Sequence, residues 1–319
     1  MSFAFVFPGQ GSQSIGMLAP LSQTDPIIRA TFEEASTALG YDLWQLTQEG
    51  PKERLDSTEC TQPAMLAAGV ATWRLWHERG GVDPIMMSGH SLGEFTAFVC
   101  AGAIDFATAI DLVRFRGQVM QEAVPAGQGA MAAILGLDDD DVRQICTEAA
   151  AGEIVEAVNF NSPGQVVIAG HSAAVQRAGE AAKARGARKV MPLPISVPSH
   201  SSLMRSAGQR LGERLAAIDI RTPTIRCLSP VDVAIHDQPA EIRTHLSQQL
   251  SRPVQWWGTV KALAKEGIGQ MIECGPGKVL TALNRRIEKR EGLEFMPLED
   301  PATLEAALAA TQHEIAKGI

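Results

Sequence analysis

An apolar stretch, Pro84-Ile85-Met86-Met87-Ser88-Gly89, runs directly into Gly89-His90-Ser91-Leu92-Gly93 and then into an apolar segment over about 92–101. This junction restricts the fold more than any other part of the chain. A short apolar run bounded by glycine reads as a buried strand, and the segment behind it as a helix. The G-x-S-x-G spacing between them is that of a nucleophile elbow, a turn so sharp that side chains at the two glycines would collide across it. Such a turn strains the serine backbone, points the hydroxyl outward and sets it at a helix N-terminus, where developing negative charge is favoured. A plain strand-to-helix turn with Ser91 as helix cap is the alternative reading.

The flanking sequence repeats the alternation. Phe3 to Phe7 is a second buried-strand candidate, ended by the turn-rich Pro8-Gly9-Gln10-Gly11-Ser12-Gln13. Helical signals cover about 25–39, 61–79 and 105–121. In the second of these, Met65, Leu66, Ala68, Gly69, Trp73 and Trp76 make an apolar face. Strand, helices, strand and helix predict a layered α/β sheet. The middle of the chain has another rhythm: strand 129–135, helix 138–151, strands 154–160 and 165–169, helix 172–186 and strand 189–193. That βαββαβ order is the ferredoxin-like signature, so an inserted subdomain is expected over about 127–195. Helices over 201–217, 239–250, 255–266 and 279–290, with strands at 224–228 and 270–273, then complete the first pattern.

A serine nucleophile needs a base, and the chain offers seven histidines. His77 closes a helix, His171 sits in a turn, His236 and His245 lie in polar surroundings, His313 is near the C-terminus, and His90 faces away on the elbow. His200 stands in Val197-Pro198-Ser199-His200-Ser201, at the return from the inserted subdomain, where a cleft would form. The alternative is a helix-terminal histidine with no chemical duty. Oxyanion stabilisation would come from the backbone N–H of Leu92 and from the Gly9-Gln10-Gly11 loop. The same loop is a poor dinucleotide fingerprint, because residue 14 is serine, and Gly275-Pro276-Gly277-Lys278 lacks Walker A spacing. Arg116 interrupts a largely apolar helix. A buried arginine needs an anionic partner, either a structural carboxylate or the carboxylate of a substrate.

Composition excludes several classes. The 319 residues are 45% hydrophobic and 20% charged, the profile of a globular protein rather than a disordered one. A formal net charge of −8 argues against a protein built to hold nucleic acid or an anionic membrane. The five cysteines form no Cys-x-x-Cys pair, and no signal peptide or spanning segment is legible. Reduced thiols and a cytoplasmic location are the expectation.

Six motifs occur in order: Phe7-Pro8-Gly9-Gln10-Gly11-Ser12-Gln13, Gly89-His90-Ser91-Leu92-Gly93-Glu94, Arg116-Gly117, Asn159-Phe160-Asn161-Ser162-Pro163, Val197-Pro198-Ser199-His200 and Glu273-Cys274-Gly275-Pro276-Gly277. Together, from Phe3 to about residue 310, they resemble the malonyl-CoA:acyl carrier protein transacylases of dissociated bacterial fatty acid synthesis. The resemblance implies a hydrolase-like α/β core with a parallel sheet (1–126 and 196–319) and a ferredoxin-like subdomain (127–195). It implies malonyl transfer from coenzyme A to the phosphopantetheine thiol of acyl carrier protein through a malonyl-serine. Ser91 would be the nucleophile and His200 the base. The backbone carbonyl of Gln249 would orient the histidine in place of a triad aspartate. Backbone N–H groups of Gln10 and Leu92 would form the oxyanion hole, and Arg116 would clamp the malonyl carboxylate. No metal and no cofactor are expected, coenzyme A thioester being a substrate. Malonyl-CoA and acyl carrier protein are the expected partners, nucleic acid and membrane are not, and a monomer is expected. An acidic carrier protein would dock on a local basic face, for which Arg185–Lys189 and Arg285–Arg290 are candidates.

One departure is visible. Where relatives commonly carry asparagine, this chain reads Cys227-Leu228-Ser229-Pro230-Val231. Two competing functions use the same residues: a serine hydrolase, which would normally add an acidic third member, and a scaffold with a vestigial elbow.

Overall fold

The computed structural model describes residues 2–125, 127–195 and 197–317. Its strands in chain order are β1 (Ser2–Phe7), β2 (Met86–Gly89), β3 (Gly129–Leu135), β4 (Val155–Ser162), β5 (Gln165–His171), β6 (Lys189–Pro192), β7 (Arg226–Leu228), β8 (Ile268–Glu273) and β9 (Glu294–Pro297). They form two sheets. One is wholly parallel, in the order β7-β2-β1-β8-β9. The other is antiparallel, in the order β4-β5-β3-β6. The chain thus carries a mixed α/β fold with the ferredoxin-like βαββαβ element.

The continuous apolar runs become the centre of the parallel sheet because both faces of such a sheet are covered. Residues Ala4 to Phe7 of β1 are fully buried. Phe5 meets Trp73 and Trp76 edge-on, with ring centroids 5.6 and 5.2 Å apart. Both tryptophans come from the helix Thr58–Glu78, which is buried on every side from Cys60 to Thr72. In the antiparallel sheet, one face packs the helices Asp139–Ala149 and Ser172–Ala184, with Ile134, Val142, Ile145, Phe160 and Ile168 at the core.

The chain divides into two compact units. One comprises Met1–Gly117, Ile218–Ile242 and Thr259–Ile319; the other comprises Gln118–Ala217 and Arg243–Gly258. The second reaches beyond 127–195 for a visible reason. Val254 pairs along β4, with Phe160 N–H donating to its carbonyl at 2.9 Å and its own N–H donating to Val158 at 2.8 Å. Residues 126 and 196, at the expected boundaries, lie outside the described residues.

Several elements are not legible in the sequence. The helices Ala19–Thr24, Leu43–Glu49 and Lys52–Leu55 are too short to hold without tertiary packing. The edge strand β9 has no continuous apolar run. All five cysteines are free and buried. Among the described residues, no helix is long and apolar enough to cross a membrane.

Candidate active site

The elbow forms where β2 ends. Ser91 sits at φ 52, ψ −109, a conformation that costs a non-glycine residue about 1–3 kcal/mol. The surroundings enforce it. A Cβ on Gly89 would lie 1.9 Å from the Gly93 carbonyl carbon, and one on Gly93 would lie 2.0 Å from the Phe7 oxygen. The two glycines therefore let the turn close on itself and on the end of β1. His90 N–H donates to Phe7 O at 2.9 Å, which draws the loop after β1 against the elbow. That loop carries Gln10. Gln10 Nε2 donates to Thr58 Oγ1 at 3.4 Å, and Gln13 accepts from Gly11 N–H at 2.7 Å. Leu92 opens the helix Leu92–Cys100 and is buried. Below the elbow, Ser88 Oγ donates to Leu228 O at 2.7 Å.

Arg116 enters the same unit from the helix Phe106–Ala123 and is only 2% exposed. Its Nη1 donates to Gln62 Oε1 at 2.8 Å and its Nη2 to Ser91 Oγ at 3.3 Å. The guanidinium also lies 5.3 Å from the Phe95 ring centroid. Burial pushes its pKa down to about 9, and the Glu94 carboxylate pushes it back up. Gly117 makes this placement possible. A Cβ there would lie 2.6 Å from Glu59 Cα, so only glycine lets the helix close on Thr58–Glu78, which delivers Gln62. Gln62 is absent from the sequence-level candidates. Its signal was a polar residue opening an otherwise apolar helical face, and buried polar groups are the informative exceptions.

His200 belongs to the second unit and is 3% exposed. Its backbone also lies at positive φ, 66°. Its N–H donates to Leu250 O at 2.8 Å, and its Nδ1 lies 2.9 Å from Gln249 O. Gln249 is fully buried at the start of the 3₁₀ turn Gln249–Ser251, where a helix end leaves carbonyls without intrahelical donors. With Nδ1 as the donor, Nε2 is left as the basic nitrogen. Other histidines are engaged elsewhere: His77 with Asp83 at 2.9 Å, and His171 Nδ1 with Ile154 N–H at 3.0 Å. The departure at Cys227–Val231 resolves into a local turn, in which buried Ser229 bonds the backbone of Ala234 and accepts from Val231 N–H at 3.3 Å.

One unit thus gathers Ser91, Leu92, the Gln10 loop and Arg116, and the other gathers His200 and Gln249. A strained serine beside a buried cation suits group transfer through a hydroxyl, and residues 4–298 match the acyl transferase domain family. The chain is 55% identical to a malonyl CoA-acyl carrier protein transacylase of Salmonella typhimurium, over 96% of this chain and 98% of the relative. A solved structure of the malonyl CoA-acyl carrier protein transacylase from Coxiella burnetii superposes with a TM-score of 0.95 at 49% identity, covering 97% of each chain. A malonyl-transacylase solved in complex with its type II PKS acyl-carrier protein also gives 0.95, at 52% identity, covering 97% of this chain and all of that one. The chain belongs to the acyl transferase family and, within it, to the malonyl CoA-acyl carrier protein transacylases.

Proposed function

We propose that the chain moves a malonyl group from coenzyme A to the phosphopantetheine thiol of acyl carrier protein, in fatty acid biosynthesis, with Ser91 as the carrier of the group. Ser91 Oγ attacks the thioester carbonyl and His200 takes its proton. The oxyanion is held by the backbone N–H groups of Gln10 and Leu92. The C–S bond then breaks, and the coenzyme A thiolate leaves with the proton from His200. The second half reverses these steps with the carrier thiol as nucleophile. A thioester and a serine ester are close in transfer potential, so the cycle is reversible and ping-pong.

The observation that carries this reading is Arg116, a buried cation with one amine on the Ser91 hydroxyl and the other on Gln62. It is positioned to meet the free carboxylate of a malonyl group attached to Ser91. An acetyl group would leave that cation without its acid, a loss of about 2–5 kcal/mol by analogy with truncated buried charge pairs. A hydrolase has no comparable use for it. The backbone carbonyl of Gln249 orients His200 without the full charge of a carboxylate. The reading includes a monomer acting in the cytoplasm without metal or cofactor.

Intact-protein mass spectrometry after mixing with malonyl-CoA or acetyl-CoA tests the reading. One malonyl adduct is expected on the wild type, with none from acetyl-CoA and none on Ser91→Ala. Release of coenzyme A without any adduct would indicate hydrolysis instead. An unchanged adduct on Ser91→Ala would move the nucleophile elsewhere.

A further inference from the structure

His200 holds a left-handed backbone conformation that a residue with a Cβ adopts only when its neighbours impose it. Part of the restraint is local. Ser201 Oγ donates to Pro198 O at 2.7 Å. A second part comes from the distant Leu250, whose carbonyl accepts from the His200 N–H at 2.8 Å. A third part comes through Ser202, from a residue 46 positions away from it. Glu156, on β4, accepts from Ser202 N–H at 2.6 Å and from Ser202 Oγ at 2.8 Å, so both carboxylate oxygens hold one residue. Ser202 begins the 3₁₀ turn Ser202–Met204, which leads into the helix Arg205–Ala216. Charge-assisted bonds of this kind are short and about twice as strong as neutral ones.

We infer that Glu156 is a positioning residue for His200: its bidentate grip on Ser202 fixes the strained turn and so the direction of the imidazole. Only Ser201 separates the gripped residue from the histidine. A general base works within narrow limits, about 0.5 Å and 10–20°, and a loop released at one end would exceed them. Glu156 does not touch reacting atoms; it acts through the turn. The inference rests on His200 being the base.

The test measures the rate of malonyl-enzyme formation after rapid mixing with malonyl-CoA, by quench and intact mass, in wild-type and His200→Ala backgrounds. Glu156→Ala should slow acylation about 10- to 100-fold, the range found when supporting residues around a site are removed. The KM for malonyl-CoA should stay within about threefold, since substrate contacts are intact. Glu156→Gln should recover most of the rate, because a carboxamide can accept from Ser202 N–H and donate to Ser202 Oγ. Ser202→Ala, which keeps the N–H bond, should fall between them. In the His200→Ala background, Glu156→Ala should add no further loss. A wild-type rate for Glu156→Ala, or an equal further loss on top of His200→Ala, would overturn the inference. Wild-type acylation by His200→Ala itself would overturn the assignment of the base instead.

Discussion

Arg116 is a cation removed from water and set against a hydroxyl, a carboxamide and an aromatic ring. Its helix position alone did not separate a structural ion pair from a substrate clamp. The Nη1 bond to Gln62 favours the second reading, because it fixes the plane of the guanidinium and presents Nη2 at Ser91. A hydrogen bond to a charged group contributes about 1.5–3 kcal/mol. Gln62→Ala should therefore lower the preference for malonyl over acetyl roughly 10- to 100-fold, with Ser91 still acylated. The ratio of the two acylation rates measures this, and an unchanged ratio would remove Gln62 from the clamp. The elbow motif made Ser91 readable in advance, and its geometry adds the reason for both glycines. Gln62 and Glu156 stayed hidden because each acts on a residue distant in sequence, and no local pattern encodes such a pairing.

At the scale of elements, the long periodic segments and the short apolar strands were legible, while the short helices Ala19–Thr24, Leu43–Glu49 and Lys52–Leu55 and the edge strand β9 were not. The strand Gly129–Leu135 falls at its expected bounds, as does the start of each helix in the βαββαβ segment to within a residue. Apolar periodicity over ten or more residues leaves few alternatives. The helix Val279–Ile287 shows an element fixed by one tertiary contact. Buried Glu273, at the end of β8, accepts from Leu280 N–H at 3.0 Å and from Thr281 N–H and Oγ, each at 2.7 Å. Burial nonetheless pushes its carboxyl up to about 7, against those bonds, which favour the carboxylate. Between the ordinary value of 4.5 and about 7, the folded state holds a proton that the unfolded chain has released. Stability then falls as pH rises through that window, by about 3 kcal/mol at most, and is flat above it. Urea unfolding at pH 5 and pH 8 should show that loss in the wild type and not in Glu273→Gln. Equal slopes in the two proteins would refute it.

The whole molecule carries a net charge of −8, so a carrier protein as acidic as the family resemblance implies would dock on a positive region of it. Each unit offers one basic segment. In one, Arg188 and Lys189 are exposed, while Arg185 pairs with Glu148. In the other, Arg286 and Lys289 are exposed, while Arg285 donates to Phe295 O at 2.9 Å. Paired reversal to glutamate at 188 and 189, or at 286 and 289, should raise the KM for carrier protein roughly tenfold at low salt. The KM for malonyl-CoA should stay unchanged. If neither pair shifts the carrier KM, docking uses another face.

What the sequence determined by itself was local or periodic: the buried strands, the βαββαβ order, the elbow with Ser91, and the motif series that identifies the family. These follow from side-chain alternation, helical period and the steric demands of one turn, all readable within a few residues. Tertiary structure alone decided which polar groups meet. It put Gln62 on Arg116, Glu156 on Ser202 and Val254 beside β4. Such pairs are chosen by packing, because a buried polar group must find a partner and only the folded chain brings one within 3 Å.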